Sequence, residues 1–352
     1  MPKIAILQMT SGIAPEANLK EITRAAKTAA GEGAKVLFTP EMSVLLDRDR
    51  KRAAQWITED WRQKFEDELS ITAAKLQIDI ALGSMAVPSW GGKWANRSHY
   101  FRQDNQNPVT YEKIHMFDVD LPGGESYRES KNYRPGAEAV IADLPWGRLG
   151  LSVCYDLRFP YLYRQLAKAG ASFLTVPSAF TQKTGEAHWH VLLRARAIET
   201  GCFVIAPAQG GTHENGRQTY GHSLIISPWG EILAEAAQDP TFILAEIDPA
   251  KVAEARPGSS VVVDKTPENG HLAEFLLKVL PDAYFLHIVR DPRVSLMFMV
   301  PGCNNVVRVN GTAFLTADEG LRNHFARKSL RPATVAVIPP SNSRRLPSAG
   351  DR

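Results

Sequence analysis

The stretch LGLSVCYDLRFPY occupies residues 149–161. Leu149, Leu151 and Val153 alternate with smaller residues, the period of a strand with one face in a core. At Cys154 the apolar run gives way to Tyr155, Asp156 and Arg158, and PYLYRQLAKAG follows at helical spacing. A cysteine where a strand turns into a helix has two readings. The first amides of the helix point back at the thiol, lower its pKa and can bind a developing oxyanion. Alternatively Cys154 packs in the core, the commoner fate of a cysteine.

The same alternation runs outward in both directions. KIAILQM, AKVLFTPEMS, IDIALGSMAV, ASFLTVPSAF, CFVIAPA, SLIISPW and TFILAEI read as strands, and SHYFR with VTYEKIHMF as a strand pair around polar DNQNP. NLKEITRAAKTAAGEG, the charged region Trp61 to Leu76 and HWHVLLRARAIETG read as helices, the last stopped by Gly201. Strand and helix in turn predict a layered α/β domain over 1–255. No internal repeat is visible in the sequence.

The chain has 352 residues, 44% of them hydrophobic, and a net charge of +3 spread along it. That length is ample for a sizeable core. The weak charge argues against a nucleic-acid surface. Three cysteines (Cys154, Cys202, Cys303) make neither a disulfide framework nor a CxxC zinc site. The start MPKIAILQM reads as a strand rather than a leader, and no run of 18 apolar residues suggests a membrane span. The expectation is a cytoplasmic protein in a reducing compartment, with no nucleic-acid or membrane partner.

A thiol nucleophile needs a base. Glu41, in TPEM, ends a strand as Cys154 does, and strand ends in layered folds converge on one side. In an apolar cavity its pKa would rise towards neutrality; otherwise it is a solvated loop carboxylate. Lys113 lies in strand-like TYEKIHMFDVD, where burial demands a partner and an exposed position does not. Beside Glu41 its ammonium would face an oxyanion. Glu129, in RES, could orient Lys113 or the substrate, or be an ordinary loop carboxylate. Cys202 reads as packing and Cys303 as incidental. His188 and His190 of HWH have metal-like spacing for a strand, but on a helix they point apart, so no metal site is expected there. Arg194 and Arg196 read as helix-face, ion-pairing residues. Arg158 and the pair Phe180–Thr181, just past strand ends, are candidates for a carboxylate-binding pocket.

TPEM, EKIHMFDVD, RES and SVCYDLRFP, in this order and spacing, resemble the carbon–nitrogen hydrolase family, the nitrilase superfamily. VPSAFTQKTGEAHWHVLLRARAIETGCFVIAPAQ and YGHSLIISPWGEILAEA are also family-like, most similar to the amidases of deaminated glutathione, with the ω-amidases close by. The resemblance covers 1–255. It implies a four-layer αββα sandwich with a Glu41–Lys113–Cys154 site, supported by Glu129, between two sheets. It implies hydrolysis of a small-molecule amide through a Cys154 thioester, with Lys113 and the Tyr155 N–H at the oxyanion and no cofactor. The same triad serves nitrile and carbamoyl-amine hydrolysis, and a non-catalytic binding scaffold is the rival from another class.

Past VAEAR the family continues into an arm that helps form a homodimer and cover the site. That arm is not recognisable from Arg256. Residues about 260–293 resemble a fragment of a sulfotransferase, and about 296–338 a fragment of the pyridoxamine-phosphate-oxidase-like flavin-binding family. The expectation is a chimeric extension over 256–338 that lacks a complete fold, with a disordered tail over 339–352.

Overall fold

In the first strand, Lys3–Gln8, neighbouring side chains enter different cores. Ile4 and Ile6 join Leu149, Leu151 and Phe173 in one cluster, whereas Ala5 and Leu7 join Ile22, Ala26 and Leu69 in another. A strand apolar on both faces must be covered on both. The computed structural model describes residues 1–120, 124, 126–256 and, beyond these, the strands Phe285–His287, Leu296–Met299, Val306–Ala313 and Ala333–Ile338. The chain divides into two units, Met1–Ala255 and Arg256–Arg352.

The first unit holds two large sheets. One is seven-stranded and runs Thr241–Glu246, Lys3–Gln8, Ala34–Phe38, Asp79–Pro88, Trp94–Phe101, Val109–Glu112, with Tyr133–Arg134 also beside Trp94–Phe101. The other is six-stranded: Ile141–Leu144, Gly147–Leu151, Phe173–Thr175, Phe203–Ala206, Leu224–Ile226, Ile232–Glu235. From edge to edge both have the same pattern: an antiparallel pair, two parallel pairs, then two antiparallel pairs. Two sheets with helices on their outer faces make the αββα sandwich.

Helices Pro15–Gly31 and Glu59–Leu76 cover the first sheet. Ile22 and Leu69 are fully buried there, and each such burial contributes about 1.5–3 kcal/mol. Thr58 caps the second of these helices by accepting from the Trp61 N–H. Helices Pro160–Lys168 and Gln182–Thr200 cover the second sheet through Leu162, Leu166, Leu193 and Ala197. Gly150 faces Leu166, where a Cβ would lie only 3.0 Å away, so Leu149 and Leu151 take the opposite face. Gly201, at φ +59°, ends the long helix in the left-handed region.

The strands are shorter than the apolar runs that announce them. AKVLFTPEMS is a strand only over Ala34–Phe38, and VTYEKIHMF only over Val109–Glu112. Lys113 therefore sits just past a strand, although its N–H still bonds the Asn96 carbonyl at 2.9 Å. Beyond it the chain leaves the sheet because the His115 N–H and ring are drawn to Asp156.

In the second unit the four strands form an antiparallel meander in chain order. Three of them fall in the flavin-binding-like stretch. The sulfotransferase-like stretch lies outside the described residues apart from Phe285–His287, as do Cys303 and the tail expected to be disordered. No helix of the described residues is long and apolar enough to cross a membrane.

Candidate active site

Cys154 lies three residues past the strand Gly147–Leu151 and begins a short 3₁₀ segment, Cys154–Arg158. Cys154 opens that turn with φ +50°, a left-handed backbone that a non-glycine residue adopts only under constraint. The constraint is visible. The Cys154 N–H donates to the Pro177 carbonyl at 2.9 Å, and the Asp156 carboxylate accepts from the Val153 N–H at 2.8 Å. Asp156, fully buried, also accepts from the Tyr111 hydroxyl at 2.7 Å and from the His115 N–H and Nδ1 at 3.0 and 2.7 Å. One carboxylate thus ties the cysteine turn to the segment that follows Lys113. Arg196 holds the other end, its guanidinium on the Leu157 carbonyl at 2.7 and 3.1 Å.

Across the interface between the sheets lies Glu41, 5% exposed, three residues past its strand. The Cys154 thiol and the Glu41 carboxylate are neighbours close enough to shift each other's titration. Glu41 also accepts from Lys113 Nζ at 2.9 Å, the Asn96 amide at 3.0 Å and the Ala179 N–H at 3.0 Å. Lys113, 2% exposed, donates in addition to both oxygens of Glu129 at 3.0 and 2.8 Å. Glu129 begins a short 3₁₀ turn and accepts from the Phe117 N–H at 2.7 Å. A buried ammonium between two carboxylates is the arrangement that makes its burial tolerable.

The electrostatics correct two expectations. Burial pushes the Glu41 carboxyl up, but the Lys113 charge and the hydrogen bonds outweigh it and hold the group below its ordinary value. The cavity is polar, not apolar, so no rise towards neutrality occurs. Burial pushes the Cys154 thiol well above its ordinary value, and the neighbouring Glu41 charge adds to this against Lys113. The turn amides do not prevail. At neutral pH the pair is therefore carboxylate and thiol, the protonation state in which Glu41 can take a proton. Burial pulls Lys113 down, but its two carboxylates more than reverse this, so it stays charged.

Glu41, Lys113, Glu129 and Cys154 are thus brought together, and Tyr155 follows directly in the turn, its ring edge-on to Phe117 and Phe159. Arg158 lies by the Tyr155 ring and 3.1 Å from His188 Nδ1. Phe180 packs on Trp189, and the Thr181 hydroxyl caps the helix Gln182–Thr200. Cys202 is fully buried in the core, its thiol on the Ala171 carbonyl. Arg194 donates to the Gly230 carbonyl, and Arg196 pairs with Glu199. Asn96, Asp156 and the Ala179 amide were not legible, and neither was Arg217. Its guanidinium donates to the Ala179 carbonyl and adds to the cationic field on Glu41.

The model of the family described as carbon-nitrogen hydrolase matches residues 3–257, and that of the sulfotransferase family matches 227–316. A deaminated glutathione amidase of Synechocystis sp. is 41% identical over 257 residues, 72% of this chain and 93% of that protein. The NitFhit protein of C. elegans is similar in structure, with TM-score 0.68 and 29% identity over 92% of this chain and 82% of that one. A variant of the amidase from Nesterenkonia sp. AN1 is also similar, with TM-score 0.62 and 25% identity over 73% and 94% of the two chains. In that protein the acetamide moiety of fluoroacetamide is covalently attached at the active-site cysteine.

Proposed function

The chain belongs to the carbon–nitrogen hydrolase family, and we propose that it removes ammonia from the terminal amide of a small carboxylic or keto acid of the deaminated-glutathione kind. The observation that carries this reading is the Cys154 thiol beside a buried Glu41 carboxylate that Lys113, 2.9 Å away, holds ionised. The substrate class rests on the deaminated glutathione amidases among the relatives.

Glu41 takes the thiol proton as the Cys154 sulfur attacks the amide carbon. The C–S bond forms, and the carbonyl π pair moves to oxygen. Lys113 and the Tyr155 N–H face that oxyanion and offset its charge. Collapse breaks the C–N bond, and Glu41 returns the proton to the departing nitrogen, which leaves as ammonia. Water then gives a proton to Glu41 and adds its oxygen to the thioester. C–S cleavage releases the acid, and the sulfur recovers its proton. Two acyl transfers replace one difficult hydrolysis. The free carboxylate of the substrate suits Arg217, beside Glu41, and Arg158, on the cysteine turn. A working thiol of this kind suits the reducing cytoplasm. The tail, which replaces the family's arm, is a fused segment.

Ammonia release from deaminated glutathione and from α-ketoglutaramate, wild type against Cys154→Ala, tests the reading. Thiol-dependent release is expected. No release from either by a folded wild-type protein would exclude this substrate class.

A further inference from the structure

On the helix Gln182–Thr200 the two histidines of HWH part company: His188 meets Arg158, whereas His190 meets residues far from it in sequence. His190 Nε2 lies 2.8 Å from Glu235 Oε1, and His222 Nδ1 lies 3.2 Å from the same oxygen. Among the described residues these three form the one group of metal-capable side chains, with ligand atoms all within 4.8 Å of one another.

We propose that His190, His222 and Glu235 form a site for a borderline divalent cation of the zinc class, separate from the amidase centre. Two imidazoles and a carboxylate suit such an ion and are a poor match for calcium or magnesium, which favour oxygen ligands. Ligand atoms around a tetrahedral zinc lie about 3.3–3.6 Å apart, given bonds of about 2.0–2.2 Å. The 2.8 and 3.2 Å separations need only a small opening to admit the ion.

The site is built from three elements, and its least expected member is anchored. His222 has φ +54°, in the left-handed region. Its N–H donates to the Ala237 carbonyl at 3.0 Å, and its carbonyl accepts from the indole of buried Trp189 at 2.7 Å. Tyr220 stacks on its ring at a centroid distance of 4.4 Å. Trp189 directly precedes His190, so a single buried indole sets both histidines. The three side chains are only partly covered, 29%, 27% and 38% exposed, which leaves room for water to complete the coordination.

The test is calorimetric titration of zinc(II) alone into the untagged full chain, in a Cys154→Ser background so that the reactive thiol does not compete. One saturable site per chain is expected that weakens at least tenfold in His190→Ala and in His222→Asn, and is unchanged in His188→Ala. Asparagine tolerates the left-handed backbone, so His222→Asn removes the ligand without forcing the turn to rearrange. Cobalt(II) should give visible d–d absorption in the parent that both variants lose. Absence of saturable zinc binding, or binding that survives both ligand substitutions undiminished, would overturn the site and leave the cluster as a surface ion pair.

Discussion

The two halves of the hydrolase unit repeat one scaffold and carry different chemistry on it. In each, strand, helix, strand, helix and three further strands make up the sheet, with the short helix Arg50–Ala54 inserted in the first and the hairpin Gly210–Thr212 and Gln218–Tyr220 in the second, and one more strand, Thr241–Glu246 or Ile141–Leu144, closes the near edge. The match extends past the strand ends. Thr39 donates to the Ala81 carbonyl as Val176 donates to the Ile205 carbonyl, and each is followed by a proline. In that frame Glu41 stands where the second half has Ser178, and Cys154 where the first half has Met9. The carboxylate of Glu41 then accepts from Ala179, on the turn that mirrors its own. The backbone supplies positions at strand ends, and single residues in the turns decide what those positions do.

The sharpest way to break this comparison is at Cys154. Cys154→Ala should lower kcat on the order of 10⁴-fold or more while thermal unfolding is nearly unchanged, because the scaffold does not depend on the thiol. Ammonia release and a melting curve on the same sample check both halves of the statement. Lys113→Met comes next, with a fall in kcat of about 10²–10³, measured with the same assay. It also leaves Glu41 and Glu129 without their shared cation, so a loss of stability should accompany it.

Asp156→Asn probes the tie between the halves. The amide cannot accept from all four donors at once, so one to two of them lose a partner, at about 1–3 kcal/mol for each buried group. Denaturant unfolding should show that cost, and kcat should fall more than KM rises, because the cysteine turn loses its register.

Protonation gives a fourth test. Glu41 is held below 4.5 and the Cys154 thiol above 9.0, so the acid limb of kcat/KM should lie below the first value and the basic limb above the second. A base that titrated near neutrality would place the acid limb inside that window and refute the assignment. The smallest effect is on the outer side of the first sheet. Burial raises the Glu66 carboxyl, but His99 and Arg62 reverse this and bring it to about 2. Its contribution to stability is complete above 4.5 and is lost as pH falls towards 2. Glu66→Gln should flatten that part of an acid-unfolding curve.

Much of this was legible in the sequence, for a physical reason. Glu41, Lys113 and Cys154 are residue types with conspicuous chemistry at the ends of apolar runs, so the local pattern exposes them. Asn96, Asp156 and Arg196 are ordinary residue types whose roles come from partners 55, 41 and 39 positions away. The repeat was invisible for a related reason: a strand requires only apolar side chains of fitting size, so two halves can share a topology without sharing letters. The directions of the two central pKa shifts were misread because the sequence shows that a group is buried more readily than it shows who is buried with it.

The buried ammonium between two carboxylates has one more consequence. Lys113 faces two carboxyl groups, Glu41 and Glu129, and passing the thiol proton to Glu41 leaves the total charge of the site unchanged. The amide arrives with a neutral reacting end and departs as a second anion at the same spot. The two carboxyl groups therefore oppose the new anion, and the acid should inhibit more weakly than the amide binds.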